Sequence, residues 1–184
     1  LETWSEAVRA APTPAGAGLA NPRGELQHGH AFPLPAALLQ PSLALGYSPE
    51  SSSHSWTGRG WSLTTGVTVQ VPPRGSERAY VGDGIRSVLT VSGDGLQGFL
   101  VEDVTGWRWE SATPSTVAVT FAGNGEIQLD SGRTRWRLAE TTKGVWRSYR
   151  TRDRVGNIID YTWSGSKLDA IHYGGTLSGV AHNV

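Results

Sequence analysis

No cysteine occurs among the 184 residues, which excludes disulfide staples and thiolate metal centres. Methionine is also absent and the chain starts at Leu1, so the expectation is a polypeptide that has lost a leader or was cut from something longer. No cationic start followed by an apolar run survives in the first 30 residues. Long hydrophobic stretches are missing too. Runs such as Ala36-Ala37-Leu38-Leu39 fall far short of the roughly 20 residues a membrane helix requires, so no membrane span is expected. Neither sign of charge is in excess: 16 Lys and Arg balance 16 Asp and Glu. That balance argues against a nucleic-acid partner, which would call for a basic surplus to neutralise phosphates.

Glycine (24) and proline (10), by contrast, are plentiful, and so are large rings, with eight tryptophans. Many turn formers and many packing aromatics together favour an all-β protein with short connections. Residues 1–28 read as an appendage. Leu1, Trp4 and Val8 have helix-like spacing, and two breaker clusters follow, at 11–18 and 21–24. The remaining module, 29–184, carries short β runs. Val67–Val71 alternates with period 2 and ends at Pro72-Pro73. Comparable runs lie at 42–47, 87–91, 98–104, 116–121, 126–129, 134–138, 144–150, 157–163 and 167–173. Turn signals punctuate them at Gly82-Asp83-Gly84, Gly93-Asp94-Gly95 and Gly123-Asn124-Gly125, since Asn and Gly tolerate the positive φ of tight turns. Strands this closely spaced, without helical stretches between them, predict an antiparallel meander.

Chemistry-bearing constellations are sparse, and no catalytic, cofactor-binding or metal residue is assigned. His28 and His30 would share one face of a strand, but completing a metal site needs His54 or His172 brought in by the fold. Asp83, Asp94 and Asp103 sit in or beside Gly-rich turns without a calcium-loop spacing. Glu102-Asp103 offers adjacent carboxylates with nothing to make them an acid and a base. Neither a G-x-S-x-G motif nor a Walker loop is found. Trp107 and Trp109, two apart, would project from one strand face. Exposed, they would form a stacking platform for sugar rings, as in a carbohydrate-binding β-sandwich; buried, they would fill core between layers. Arg133, Arg135 and Arg137 alternate with Thr134 and Trp136 to give a strand a basic face, either solvated or able to hold an acidic partner segment.

Several segments together resemble a known family. The runs Gly29-His-Ala-Phe-Pro-Leu-Pro, Gln40-Pro-Ser-Leu-Ala-Leu-Gly-Tyr-Ser and Gly58-Arg-Gly-Trp-Ser-Leu are similar to the opening of SpvB-type and insecticidal toxin-complex B-subunit proteins, relatives of Rhs/YD-repeat proteins. Trp136-Arg-Leu, Arg152-Asp-Arg-Val-Gly-Asn-Ile-Ile-Asp-Tyr-Thr-Trp and Leu168-Asp-Ala-Ile-His-Tyr-Gly resemble later segments of the same proteins. The resemblance singles out Pro41, Ser42, Tyr47, Gly58, Gly60, Trp61, Asp153, Gly156, Asn157 and Tyr161 as structural motif residues. It implies a segment of a spiral β-shell: a non-enzymatic module of a secreted or injected toxin, partnered by the remaining shell and toxin segments. The chain departs from the family in its Ser- and His-containing loop at 49–56. It also shows no long YD array, autocleavage segment or toxin domain.

Residue chemistry suits these motif positions. Gly58 and Gly60 permit a sharp bend before Trp61. Asp153 and Gly156-Asn157 supply a turn, after which Ile159, Tyr161 and Trp163 share one strand face.

Overall fold

The computed structural model describes residues 19–20, 26–48, 54–72, 87–112, 116–175 and 182–183. These residues contain no helix, and all strand pairing among them is antiparallel. The expectation of a helix within 1–10 and the Gly82-Asp83-Gly84 turn lie outside the described residues. By its contacts the chain divides into two compact units. The first runs to Phe32 and resumes over Leu43–Thr64; the second holds Pro33–Ser42 and everything from Thr65 onward. The appendage boundary expected at residue 28 falls inside a strand.

In the first unit, β1 (Leu19–Ala20), β2 (Leu26–Ala31), β3 (Ala44–Tyr47) and β6 (Trp61–Thr64) form one sheet in that order, while β4 (His54–Ser55) and β5 (Gly58–Arg59) make a small hairpin. The register sets Tyr47 directly opposite Trp61, with ring centroids 5.2 Å apart. Gly58 (φ 109°) and Gly60 (φ 79°) turn the chain from that hairpin into β6. A Cβ on Gly60 would lie 2.8 Å from the Tyr47 ring and 3.0 Å from the Ser48 carbonyl, so the close approach depends on glycine.

The second unit is built around a sheet of eleven strands: β7 (Thr68–Gln70), β8 (Ser87–Gly93), β9 (Leu96–Asp103), β10 (Gly106–Glu110), β11 (Ala118–Phe121), β12 (Ile127–Asp130), β13 (Thr134–Thr142), β14 (Val145–Asp153), β15 (Ile158–Ser164), β16 (Lys167–Gly175) and β17 (His182–Asn183). Strands β7 to β10 and β11 to β14 each follow one another as neighbours, and β7 pairs with β14. Because β10 also lies against β11, the meander curls into a nearly closed barrel. Alternation fills its inside. Val67, Val69, Leu89, Val91, Leu100, Ile127, Leu129, Trp136 and Leu138 form one buried cluster, with Leu100, Leu129 and Leu138 wholly shielded from solvent. Burial of this apolar surface is the main stabilising term for a domain without disulfides.

Local chemistry explains the corners. Asp94 (φ 46°) and Gly95 (φ 77°) make a two-residue turn in which both central residues are left-handed, the geometry that suits the right-handed twist of a hairpin. At 122–126 only Gly125 has positive φ. The Gly125 amide bonds the Ala122 carbonyl at 3.0 Å, so this connection is a longer loop closed by one left-handed glycine, not a two-residue turn.

Strand β14 is shared. Val145–Arg147 pair with β7, whereas Arg150–Arg152 pair with β15. The switch falls at Ser148 and Tyr149, where the β13–β14 register slips by one residue, a β-bulge. Ser148 is buried there and its hydroxyl spans the backbone of Val67, accepting from the amide at 3.0 Å and donating to the carbonyl at 3.2 Å. Past this point β15 and β16 carry the meander beyond its own first strand. On its far side β16 pairs with β17 only at His172 and Tyr173; among the described residues Lys167–Ile171 have no second neighbour.

Candidate functional site

The motif residues singled out in the sequence serve turns and packing. Asp153 organises the β14–β15 turn. Its carboxylate accepts from the amides of Val155 (3.0 Å) and Asn157 (2.9 Å) and from the Asn157 side chain (2.6 Å). Burial opposes its ionisation, but these hydrogen bonds outweigh it and hold the carboxyl below its ordinary range. Gly156, at φ 97°, completes the turn, and Ile159 and Tyr161 are buried behind it with Trp163 half-buried on the same face. The Trp163 indole donates to the Ser148 carbonyl at 2.9 Å, and the Arg147 guanidinium lies 5.2 Å from the ring centroid.

A partly buried polar node is the first arrangement that the sequence did not disclose. One Asp94 oxygen accepts from the Ser42 hydroxyl at 2.9 Å and the other from the Trp136 indole at 3.2 Å. Burial pushes the Asp94 carboxyl above its ordinary value, against the pull of those two bonds. Neighbouring Tyr161 is driven far up by burial and by the Asp94 charge. The hydroxyls of Tyr161, Thr65 and Thr151 converge without a well-formed hydrogen bond. Ser42 belongs to the Pro33–Ser42 segment, which is also held by the Tyr173 hydroxyl donating to the Pro35 carbonyl at 3.2 Å; Pro41 is buried. One carboxylate, an indole donor and four hydroxyls tie the Pro33–Ser42 segment to the barrel.

Trp107 and Trp109 are half-buried and pack against the barrel core. Trp107 stacks on Phe121 at 4.4 Å between centroids and 22° between planes, across the β10–β11 seam. Trp109 covers Gly98, where a Cβ would meet its ring at 2.8 Å. Both rings thus pack one side against the barrel and stay half-buried.

The remaining sequence candidates disperse. His30 makes an edge contact with Phe32 at 4.9 Å, and His172 lies opposite Asp160 in another sheet. Asp103 is engaged by Thr105 and by an ion pair with Arg108. Asp83 lies outside the described residues. Among the described residues no three His, Cys, Asp or Glu side chains converge on a metal position.

The second arrangement is basic, and the sequence showed only one of its two strands. The β13–β14 register sets Arg135 opposite Arg152 and Arg137 opposite Arg150, all four exposed on the outer face of the sheet. Arg133 and Arg154 join Arg135 and Arg152 around one shallow depression at the end of these two strands. Flanking strands answer in part. Arg135 bonds Asp130 on β12 at 2.8 Å, and Arg150 reaches both carboxylate oxygens of Asp160 on β15 at 2.6 and 3.1 Å. Asp130 is held below its usual range, first by the Gly132 amide and then by Arg135. Arg137 shares the Tyr149 hydroxyl with Glu126. The alternation Arg150-Thr-Arg-Asp-Arg154 is visible in the sequence, but its alignment against Arg133–Arg137 depends on the bulge at Tyr149.

No protein-family model, curated protein or solved structure matches the chain.

Proposed function

We propose that this chain is a non-enzymatic structural module of an SpvB/Rhs-like toxin, secreted or injected, that starts or plugs a β-wall enclosing or delivering a polypeptide cargo. The observation that carries the reading is the shared strand β14, from which the sheet runs past the barrel's own first strand to β16, whose far edge is paired among the described residues only at His172 and Tyr173. An open edge of this kind is a template for another strand, and free proteins avoid leaving one uncovered. The barrel interior is filled by its own side chains, so in this reading cargo is held by wall built from further strands, and the barrel closes one end. Motif positions Gly58, Gly60, Trp61, Asp153, Gly156, Asn157 and Tyr161 act in turns and packing, which suits a structural role.

Electron cryomicroscopy of the native polypeptide containing these residues tests the proposal. The expected result is a hollow β-walled body with the barrel at one end and a further strand bonded to β16. A solitary barrel, or turnover of a substrate dependent on these residues, would contradict it.

A further inference from the structure

The outer face of β13 and β14 carries two parallel columns of arginine. Arg135 and Arg137 lie on β13 and Arg152 and Arg150 on β14, and Arg133 and Arg154 carry the two columns into the adjoining turns. Two cross-strand pairs, Arg135 with Arg152 and Arg137 with Arg150, set like charges directly opposite one another. Such pairs destabilise a sheet, and opposite charges at the same positions would stabilise it. The fold offsets only half of this. Asp130 takes Arg135 and Asp160 takes Arg150, leaving Arg152 and Arg137 on the diagonal without a carboxylate partner among the described residues. Asp153, at the Arg154 end, has its carboxylate committed to its own turn.

From this arrangement the geometry points to a docking strip for an acidic, extended polypeptide segment lying along β13 and β14. Residues two apart on a strand are about 6.8 Å apart, so each column repeats at the spacing of carboxylates on alternate residues of an extended peptide. The strand-borne pairs span about 7 Å, and Arg133 and Arg154 lengthen the strip at one end. Guanidinium forks suit carboxylates bidentately, and Arg150 with Asp160 already makes that contact on this face. The strip is two strands, about 5 Å, across, with one ion-paired carboxylate on each side, Asp130 beside Arg135 and Asp160 beside Arg150, a width that suits one extended chain. The chain's formal net charge of zero gives a polyanion no long-range attraction. This inference is independent of the wall reading, because any partner or cargo segment with that charge pattern would serve.

The test is fluorescence anisotropy on the protein with a labelled nine-residue peptide alternating glutamate and serine, in low salt. Binding that weakens steeply with added salt is expected, together with much weaker binding of the same peptide with glutamine for glutamate. The double variant Arg137→Gln with Arg152→Gln should lose about tenfold in affinity. It should also melt no lower than the parent, since it relieves like-charge opposition. Arg108→Gln, on β10 away from the strip, should bind as the parent does. The proposal is overturned if the glutamine peptide binds equally, if the double variant keeps full affinity, or if a single-stranded oligonucleotide of equal length binds more tightly than the glutamate peptide.

Discussion

Truncating Trp107 to alanine is expected to loosen the barrel at its one unladdered seam. Strands β10 and β11 lie side by side without ladder hydrogen bonds, and the Trp107–Phe121 stack bridges them. Removing a fully buried Trp or Phe side chain costs about 3–5 kcal/mol; for a half-buried ring a cost of about 2–3 kcal/mol follows. An aromatic pair adds about 0.5–1.5 kcal/mol beyond area burial, which is the coupling a double-mutant cycle with Phe121→Ala should return. For a chain of this size the single change should lower the melting temperature by about 5–10 °C. Calorimetry and urea unfolding of the parent, both single variants and the double variant supply the measurement. A loss below about 1 kcal/mol with no coupling would show that the rings are surface groups and refute the seam argument.

Other perturbations read the corners and the polar node. Gly93→Ala, at φ 108° and with a Cβ 2.0 Å from the Gly66 carbonyl oxygen, should cost at least about 2 kcal/mol; Gly95→Ala, at φ 77° in open space, should cost about 1 kcal/mol, and urea midpoints compare the two. The raised Asp94 carboxyl disfavours its charged form in the fold, so its contribution is full below about pH 4 and is lost as pH rises through the folded value. Asp94→Asn keeps acceptor and donor atoms for Trp136 and Ser42 and should therefore be the more stable protein at pH 7, with the gap closing at pH 3.5. Asp153 has the opposite sign: its depressed carboxyl contributes above about pH 4 and loses that contribution as pH falls through the folded value. Asp153→Ala should cost about 1 kcal/mol at pH 7 and progressively less in acid, measured by urea unfolding across that range.

What could be read in advance follows the range of the physics. Period-2 alternation and glycine turns are local, and the strands from β7 to β16 other than β10 fall on the runs that alternation marked out, as the left-handed corner at Asp94-Gly95 falls on a marked turn. Closure was not legible, since pairing of β7 with β14 joins residues some 75 apart in the chain and depends on the whole meander's curl. The first boundary was placed by the breaker residues of 11–24, whereas Leu26–Ala31, with its His-Gly-His centre, carries little alternation and still pairs as β2. The change of unit at Thr64–Thr65 is marked only by Gly66, which does not stand out among 24 glycines. The basic face of Arg133–Arg137 was visible on one strand, but its doubling by Arg150–Arg154 required the register. Tryptophan spacing at 107 and 109 places two rings on one face but could not show what they pack on; Phe121 and Gly98 supply those contacts from distant parts of the chain.

Amide hydrogen exchange along β16 tests the wall reading most directly, measured in the native polypeptide and in the 184-residue chain. Lys167–Ile171 amides directed away from β15 should exchange fast in the shorter chain and be strongly protected in the native polypeptide. Equally fast exchange in both would contradict the account, because the edge would then have no strand to join.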